Sequence, residues 1–163
     1  MGDDASLRPN QIYALALDDR LVTEAQAKHI LQLVRERLLT PLGLRTLAPE
    51  DIRVCASYEG GVSERDGAYH QGTVWPRLLG PIVTAWVHTY GDSPAVRRDA
   101  RMFLDGLHEH LHEACLGHVS EIFDGQHPHR ARGCVAQAWS VAEPLRALIE
   151  DLGAVHERSS SLR

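Results

Sequence analysis

The sequence predicts an all-α chain. Apolar residues recur at helical spacing in one segment after another, and helix caps stand at the heads of those segments. No segment alternates convincingly as a strand would. The expected architecture is about five helices joined by unusually long loops.

A first helical piece follows Pro9, with Ile12, Leu15 and Ala16 on one face. The second starts at Thr23, where Thr23 and Gln26 form a capping-box pair, each side chain satisfying a backbone N–H that the first turn leaves open. Ile30, Leu31, Val34 and Leu38 give it an apolar face to about Leu39, and Pro41 with Gly43 ends it. The third carries the clearest pattern: Trp75, Leu78, Leu79, Ile82, Val83, Trp86, Val87 and Tyr90. Pro81 falls inside that stripe and predicts a kink one turn back. The fourth opens on Ser93-Pro94, a cap followed by proline at the first helical position. It runs through Val96, Ala100, Phe103, Leu104, Leu107, Leu111 and Ala114. The last spans about Ala136 to Leu152, with Pro144 marking a second expected kink.

The connections 44–72 and 116–135 exceed the roughly 12–15 residues usual for an unstructured loop. Connections that long usually carry function. Each holds or borders a notable stretch: Tyr69-His70-Gln71-Gly72-Thr73-Val74-Trp75-Pro76 and Ser120-Glu121-Ile122-Phe123-Asp124-Gly125. Both combine aromatic rings, hydrogen-bonding side chains and carboxylates. A sugar stacks its C–H face on a ring and needs paired donors and acceptors for its hydroxyls. A carboxylate in such a loop is what glycoside hydrolysis requires. A carbohydrate site is therefore the leading reading.

With 163 residues, the chain amounts to one ordinary domain or part of a larger one. Its 44% hydrophobic and 24% charged residues read as globular. A net charge of −5 argues against a nucleic-acid partner, which selects basic faces. No run approaches the roughly 18 apolar residues of a membrane span. The N-terminus (Met1-Gly2-Asp3-Asp4-Ala5-Ser6) has no signal-peptide pattern, and Leu7 spoils a match to the myristoylation motif. Cys55, Cys115 and Cys134 are odd in number and lack CxxC spacing, so reduced thiols in the cytoplasm are expected. Composition after about Val155 predicts a disordered tail, set at 153–163, behind a folded unit of 7–152.

A rival motif needs weighing. His108-Glu109-His110-Leu111-His112 spells HExxH, with His118 at the spacing of a third zinc ligand. Cys115 stands where that extended signature has its turn glycine, and ten histidines make chance matches common. His108 lies near the edge of the apolar stripe and His112 further onto the wet face. A solvated helix face is the better reading, and no metal or organic cofactor is expected. His127-Pro128-His129-Arg130 reads as a loop meeting solvent or sugar hydroxyls. Asp124 reads as an Asx-type turn on local amides before Gly125, ahead of a catalytic role.

Arg8-Pro9-Asn10-Gln11, the Tyr69–Pro76 stretch, the Ser120–Gly125 stretch and Gln137-Ala138-Trp139-Ser140 together form an ordered set. This set resembles the C-terminal end of the glycogen debranching enzymes, their amylo-α-1,6-glucosidase domain, from about Leu7 to Ile149. The resemblance implies part of a six-hairpin α/α toroid of the glucoamylase-like kind, an inner ring of helices within an outer one, with active-site loops at one end. It implies hydrolysis of α-1,6 branch stubs in glycogen or a similar branched glucan, with inversion. In that mechanism one carboxylic acid protonates the leaving oxygen and a second carboxylate, about 6.5–9.5 Å away, activates water. By resemblance Glu121 is the base. Asn10, Gln11, Tyr69, His70, Gln71, Trp75, Asp124 and Trp139 line or border the sugar site. Arg77 departs from the family pattern, which commonly has a second tryptophan there, and Pro144 interrupts a helix that is usually regular. The chain starts almost at Asn10, so the resemblance places the general acid outside it. The expectation is a fragment, or one chain of a split enzyme with an N-terminal half as partner, inactive alone.

Overall fold

The computed structural model describes residues 4–17, 21–114 and 116–153. In chain order its helices are α1 (Ile12–Leu17), α2 (Glu24–Arg37), α3 (Val62–Ala68), α4 (Leu79–Tyr90), α5 (Pro94–Arg101), α6 (Asp105–His110) and α7 (Ala138–Glu150). Short 3₁₀ turns at Pro9–Gln11, Pro76–Leu78 and Met102–Leu104 lead into α1, α4 and α6.

The fold is not all-α. Five strands, β1 (Leu39–Thr40), β2 (Gly43–Arg45), β3 (Val74–Trp75), β4 (Ile122–Phe123) and β5 (Ala131–Arg132), form one antiparallel sheet in sequence order. None exceeds three residues, and a run that short cannot display the two-residue alternation by which strands are read. The sheet is what joins the two long connections. Leu44 pairs with Trp75, Val74 with Phe123, and Phe123 with Ala131. The first connection also holds α3, which its polar composition concealed.

The two helices with predicted caps, α2 and α5, start where those caps place them. Thr23 accepts the Gln26 N–H and the Gln26 side chain accepts the Thr23 N–H. Ser93 accepts the Val96 N–H, with Pro94 at the first helical position. The predicted fourth helix is broken by the turn at Met102–Leu104 into α5 and α6. The stripe from Trp75 to Tyr90 is likewise not one helix. Trp75 belongs to β3 and Leu78 to a 3₁₀ turn, and α4 begins only at Leu79. Pro81 therefore sits in the first turn of α4, where a missing N–H removes no helical hydrogen bond, so the expected kink has no cause there. Pro144, by contrast, is inside α7.

Every residue from Leu79 to Val87 is buried. A helix apolar on all sides must be enclosed, and α4 is enclosed by α1, α2, α5 and α7. Ile12, Leu15, Leu31, Val34, Ile82 and Val83 are among its fully buried neighbours and members. Leu7 packs on this core and Leu152 is buried against it. Of the predicted tail, all but Gly153 lies outside the described residues. No helix among the described residues is long and apolar enough to cross a membrane.

Candidate active site

The register Val74↔Phe123 brings the two notable stretches together. Tyr69 ends α3, its N–H bonded to the Arg65 carbonyl at 3.0 Å. Its hydroxyl donates to Glu121 Oε1, from 52 residues away in the chain. The Cys134 N–H donates to Glu121 Oε2 at 2.8 Å, and the Glu121 N–H donates to the Cys134 carbonyl at 2.8 Å. Ser140, fully buried at the start of α7, donates to the Glu121 carbonyl at 3.5 Å. Each carboxylate oxygen thus accepts one hydrogen bond. Since a carboxylate offers about four lone-pair sites, two remain for a water or a substrate hydroxyl.

Gly133 makes room for this arrangement. A Cβ there would stand 2.6 Å from Glu121 Oε2, and its φ of +67° already disfavours any other residue. Neither Gly133 nor Cys134 belongs to a recognisable motif, and only the glycine hinted at a special backbone position.

Burial, and after it the bond to Glu121, hold the Tyr69 phenol above its ordinary pKa of about 10. The unfolded chain therefore loses this proton before the folded one does. Stability is intact below about pH 10 and falls as pH rises beyond it. In Tyr69→Phe that alkaline limb should be shallower, and near pH 8 the variant should lose about 1–3 kcal/mol with the charge-assisted bond. Urea melts at about pH 8 and above about pH 10 would read both effects.

Around Tyr69 the rings form a cluster. Its ring lies edge-on to His70 and to Trp75, each at 4.8 Å, and His70 stacks on Trp75 at 5.0 Å and 17°. Trp75 is only 2% exposed, and its indole N–H is shared between the Tyr69 carbonyl at 3.2 Å and Thr73 Oγ1 at 3.1 Å. Trp139, with rings 6.1 Å from those of Trp75, is 44% exposed and is the open aromatic surface of the cluster. His70 is exposed and kept below its usual pKa, first by desolvation and then by Arg77 and Arg8. Gln71 accepts from Arg8 at 3.0 Å, and Gln11 donates to the Arg8 carbonyl at 2.9 Å. Asn10 is exposed at the rim of a cavity of about 330 Å³ that His70 and Trp75 also line.

Asp124 does not make a local turn. Its buried carboxylate accepts the Tyr58 N–H at 2.9 Å from the other long connection, and Arg132 Nε at 2.9 Å. It is a tie between loops. The reason lies in the sheet, which sets Asp124 against residues distant in sequence. His129, from the second histidine cluster, uses Nδ1 on the Asp124 carbonyl at 2.9 Å.

The His108 and His112 rings are nearly perpendicular, centroids 5.6 Å apart, and His112 Nδ1 lies 3.2 Å from the His108 carbonyl oxygen. His110 is buried, with Nε2 accepting the Ser120 N–H at 3.4 Å and its ring edge-on to Phe123. Among the described residues no three His, Cys, Asp or Glu side chains gather as a metal requires. Cys115 lies outside the described residues.

Comparison with known proteins is in keeping with this geometry. The family described as "Amylo-alpha-1,6-glucosidase" matches residues 1–146. A "Glycogen debranching enzyme" of Saccharomyces cerevisiae is 30% identical over 130 residues, which cover 75% of this chain and 8% of that protein.

Proposed function

The chain belongs to the amylo-alpha-1,6-glucosidase family, and on that premise we propose that it supplies the general base for hydrolysing α-1,6-linked glucose at the branch points of glycogen or a like glucan. The observation that carries this is Glu121, whose two oxygens are held by Tyr69 and Cys134 while lone pairs stay open beside an aromatic cluster. A base must be fixed in direction yet able to accept a proton, and this arrangement meets both needs. Glu121 deprotonates a water, which attacks the anomeric carbon as a carboxylic acid on the opposite side protonates the departing oxygen. That acid is assigned to the rest of the parent domain.

The exposed face of Trp139 receives a sugar ring, with Asn10 and His70 at the neighbouring rim. Tyr69 orients the base and Trp75 supports Tyr69 and His70 from below. Gln11, Gln71 and Asp124 hold the loops in place. The helices form part of an α/α toroid, a reading supported by the wholly buried α4 and by the outer face of α7. There Val141, Leu145 and Ile149 are exposed one turn apart and would meet further helices. Those helices, whether from the same chain or a separate N-terminal half, complete the site in the cytoplasm.

The competing reading is a glucan-binding module without turnover. In this chain completed by the rest of a debranching-type domain, Glu121→Gln separates the two: loss of glucose release from a limit dextrin with retained binding supports the base, and release that is unchanged sinks it.

A further inference from the structure

Arg132, in β5, stands two residues ahead of the Cys134 N–H that holds Glu121 Oε2. Its Nε donates to Asp124 Oδ2 at 2.9 Å, and one Nη lies 2.9 Å from the same oxygen. That Nη also donates to Glu59 in the first long connection. The Asp124 side chain is 9% exposed and that of Glu59 57%, so the desolvated Asp124 pair is the strong one and the Glu59 pair adds little.

Between Arg132 and the Cys134 amide lies only Gly133, at a φ of +67°. Gly133, Cys134 and Val135 are all exposed, so packing does little to fix that amide. It is fixed instead by the pairing of β4 with β5, which the Glu121 N–H extends to the Cys134 carbonyl, and by the fork that Arg132 sets on Asp124 across the pair. The other oxygen of Glu121 depends on the same tie. Asp124 Oδ1 accepts the Tyr58 N–H, and the Tyr58 ring packs on that of Tyr69 at 5.8 Å. Tyr69 in turn donates to Glu121 Oε1. Both partners of the carboxylate thus trace back to one ion pair.

We propose that Arg132 is a positioning residue for Glu121, acting through Asp124 to hold the Cys134 amide and the Tyr58–Tyr69 pair against its two oxygens. Its part in turnover rests on the function proposed above, while its hold on the Cys134 amide does not.

The test reads the Cys134 amide proton by NMR in the full chain. It also reads kcat and KM on a limit dextrin in that chain completed by the rest of a debranching-type domain. A charge-assisted bond draws an amide resonance downfield, so Glu121→Gln should move it upfield. Arg132→Met should move it upfield as well, and Glu121→Gln should then add little. Arg132→Met should lower kcat by about 10–10²-fold with KM unchanged, the scale of a small misplacement of a reacting group. Arg132→Lys keeps the charge without the fork and should fall between the two. If Arg132→Met does not fold, Arg132→Lys decides by the same readings. An unmoved Cys134 resonance, or a kcat at the parent value, would overturn the role. So would losses confined to KM and melting temperature, which mark a loop tie and nothing more. Turnover that survives Glu121→Gln would overturn the function proposed above and the kinetic part of this role, while the Cys134 resonance would still uphold or overturn its structural part.

Discussion

Replacing Glu121 with glutamine should lower glucose release by about 10²–10⁴-fold in the completed enzyme, the usual contribution of a positioned base. The substitution is close to silent in shape. A Tyr hydroxyl both donates and accepts, so Tyr69 turns to accept from the new amide, while the amide oxygen takes over the Cys134 N–H. What disappears is the capacity to take a proton from water. Melting temperature and glucan binding should therefore change little while turnover collapses. Equal losses of stability and turnover would instead mark Glu121 as a structural carboxylate, bonded to Tyr69 for the sake of the fold.

The largest effect on stability is expected at Gly125. A Cβ there would lie 2.1 Å from the Gly72 carbonyl oxygen and 3.0 Å from the Ala56 Cβ. The Gly125 N–H donates to the Ala56 carbonyl at 2.7 Å, and its own carbonyl accepts Arg45 Nε at 3.0 Å. Backbone meets backbone here, so neither side yields as a flexible side chain would. Gly125→Ala should cost about 1–3 kcal/mol or more, in the range of overpacked cores. For a domain of this size each kcal/mol lowers the melting temperature by about 2–4 °C. Because Gly125 follows the tie made by Asp124, the variant should also weaken glucan binding. A melting temperature equal to the parent's would show that the two connections are not locked together at this point.

The helices were legible because their signals are local. The Thr23–Gln26 box and the Ser93-Pro94 cap each announce a start within four residues. Apolar spacing marked α4 but overran its beginning, since the 3₁₀ turn at Pro76–Leu78 carries the stripe on from Trp75 without a helix. The sheet stayed hidden because each strand contributes only two or three residues, and pairing between 39 and 132 is invisible to local pattern.

The site divides the same way. Tyr69 and Glu121 stood out by residue type and by resemblance, yet only the register between β3 and β4 sets them in contact. Asp124 was misjudged for the same reason, its amide partner being Tyr58, 66 residues away. Gly133 and Cys134 fix Glu121 through backbone geometry, which residue type barely records. Arg77 stood out only by resemblance, and its contact with both indoles, whose centres are 6.1 Å apart, was not legible.

The most direct test is the anomeric form of the first glucose released from a limit dextrin by this chain together with the remainder of a debranching-type domain, followed by proton NMR before mutarotation. Inverting hydrolysis by a base and an acid on opposite sides of an α-linkage predicts the β-anomer. Release of the α-anomer would contradict the role given to Glu121.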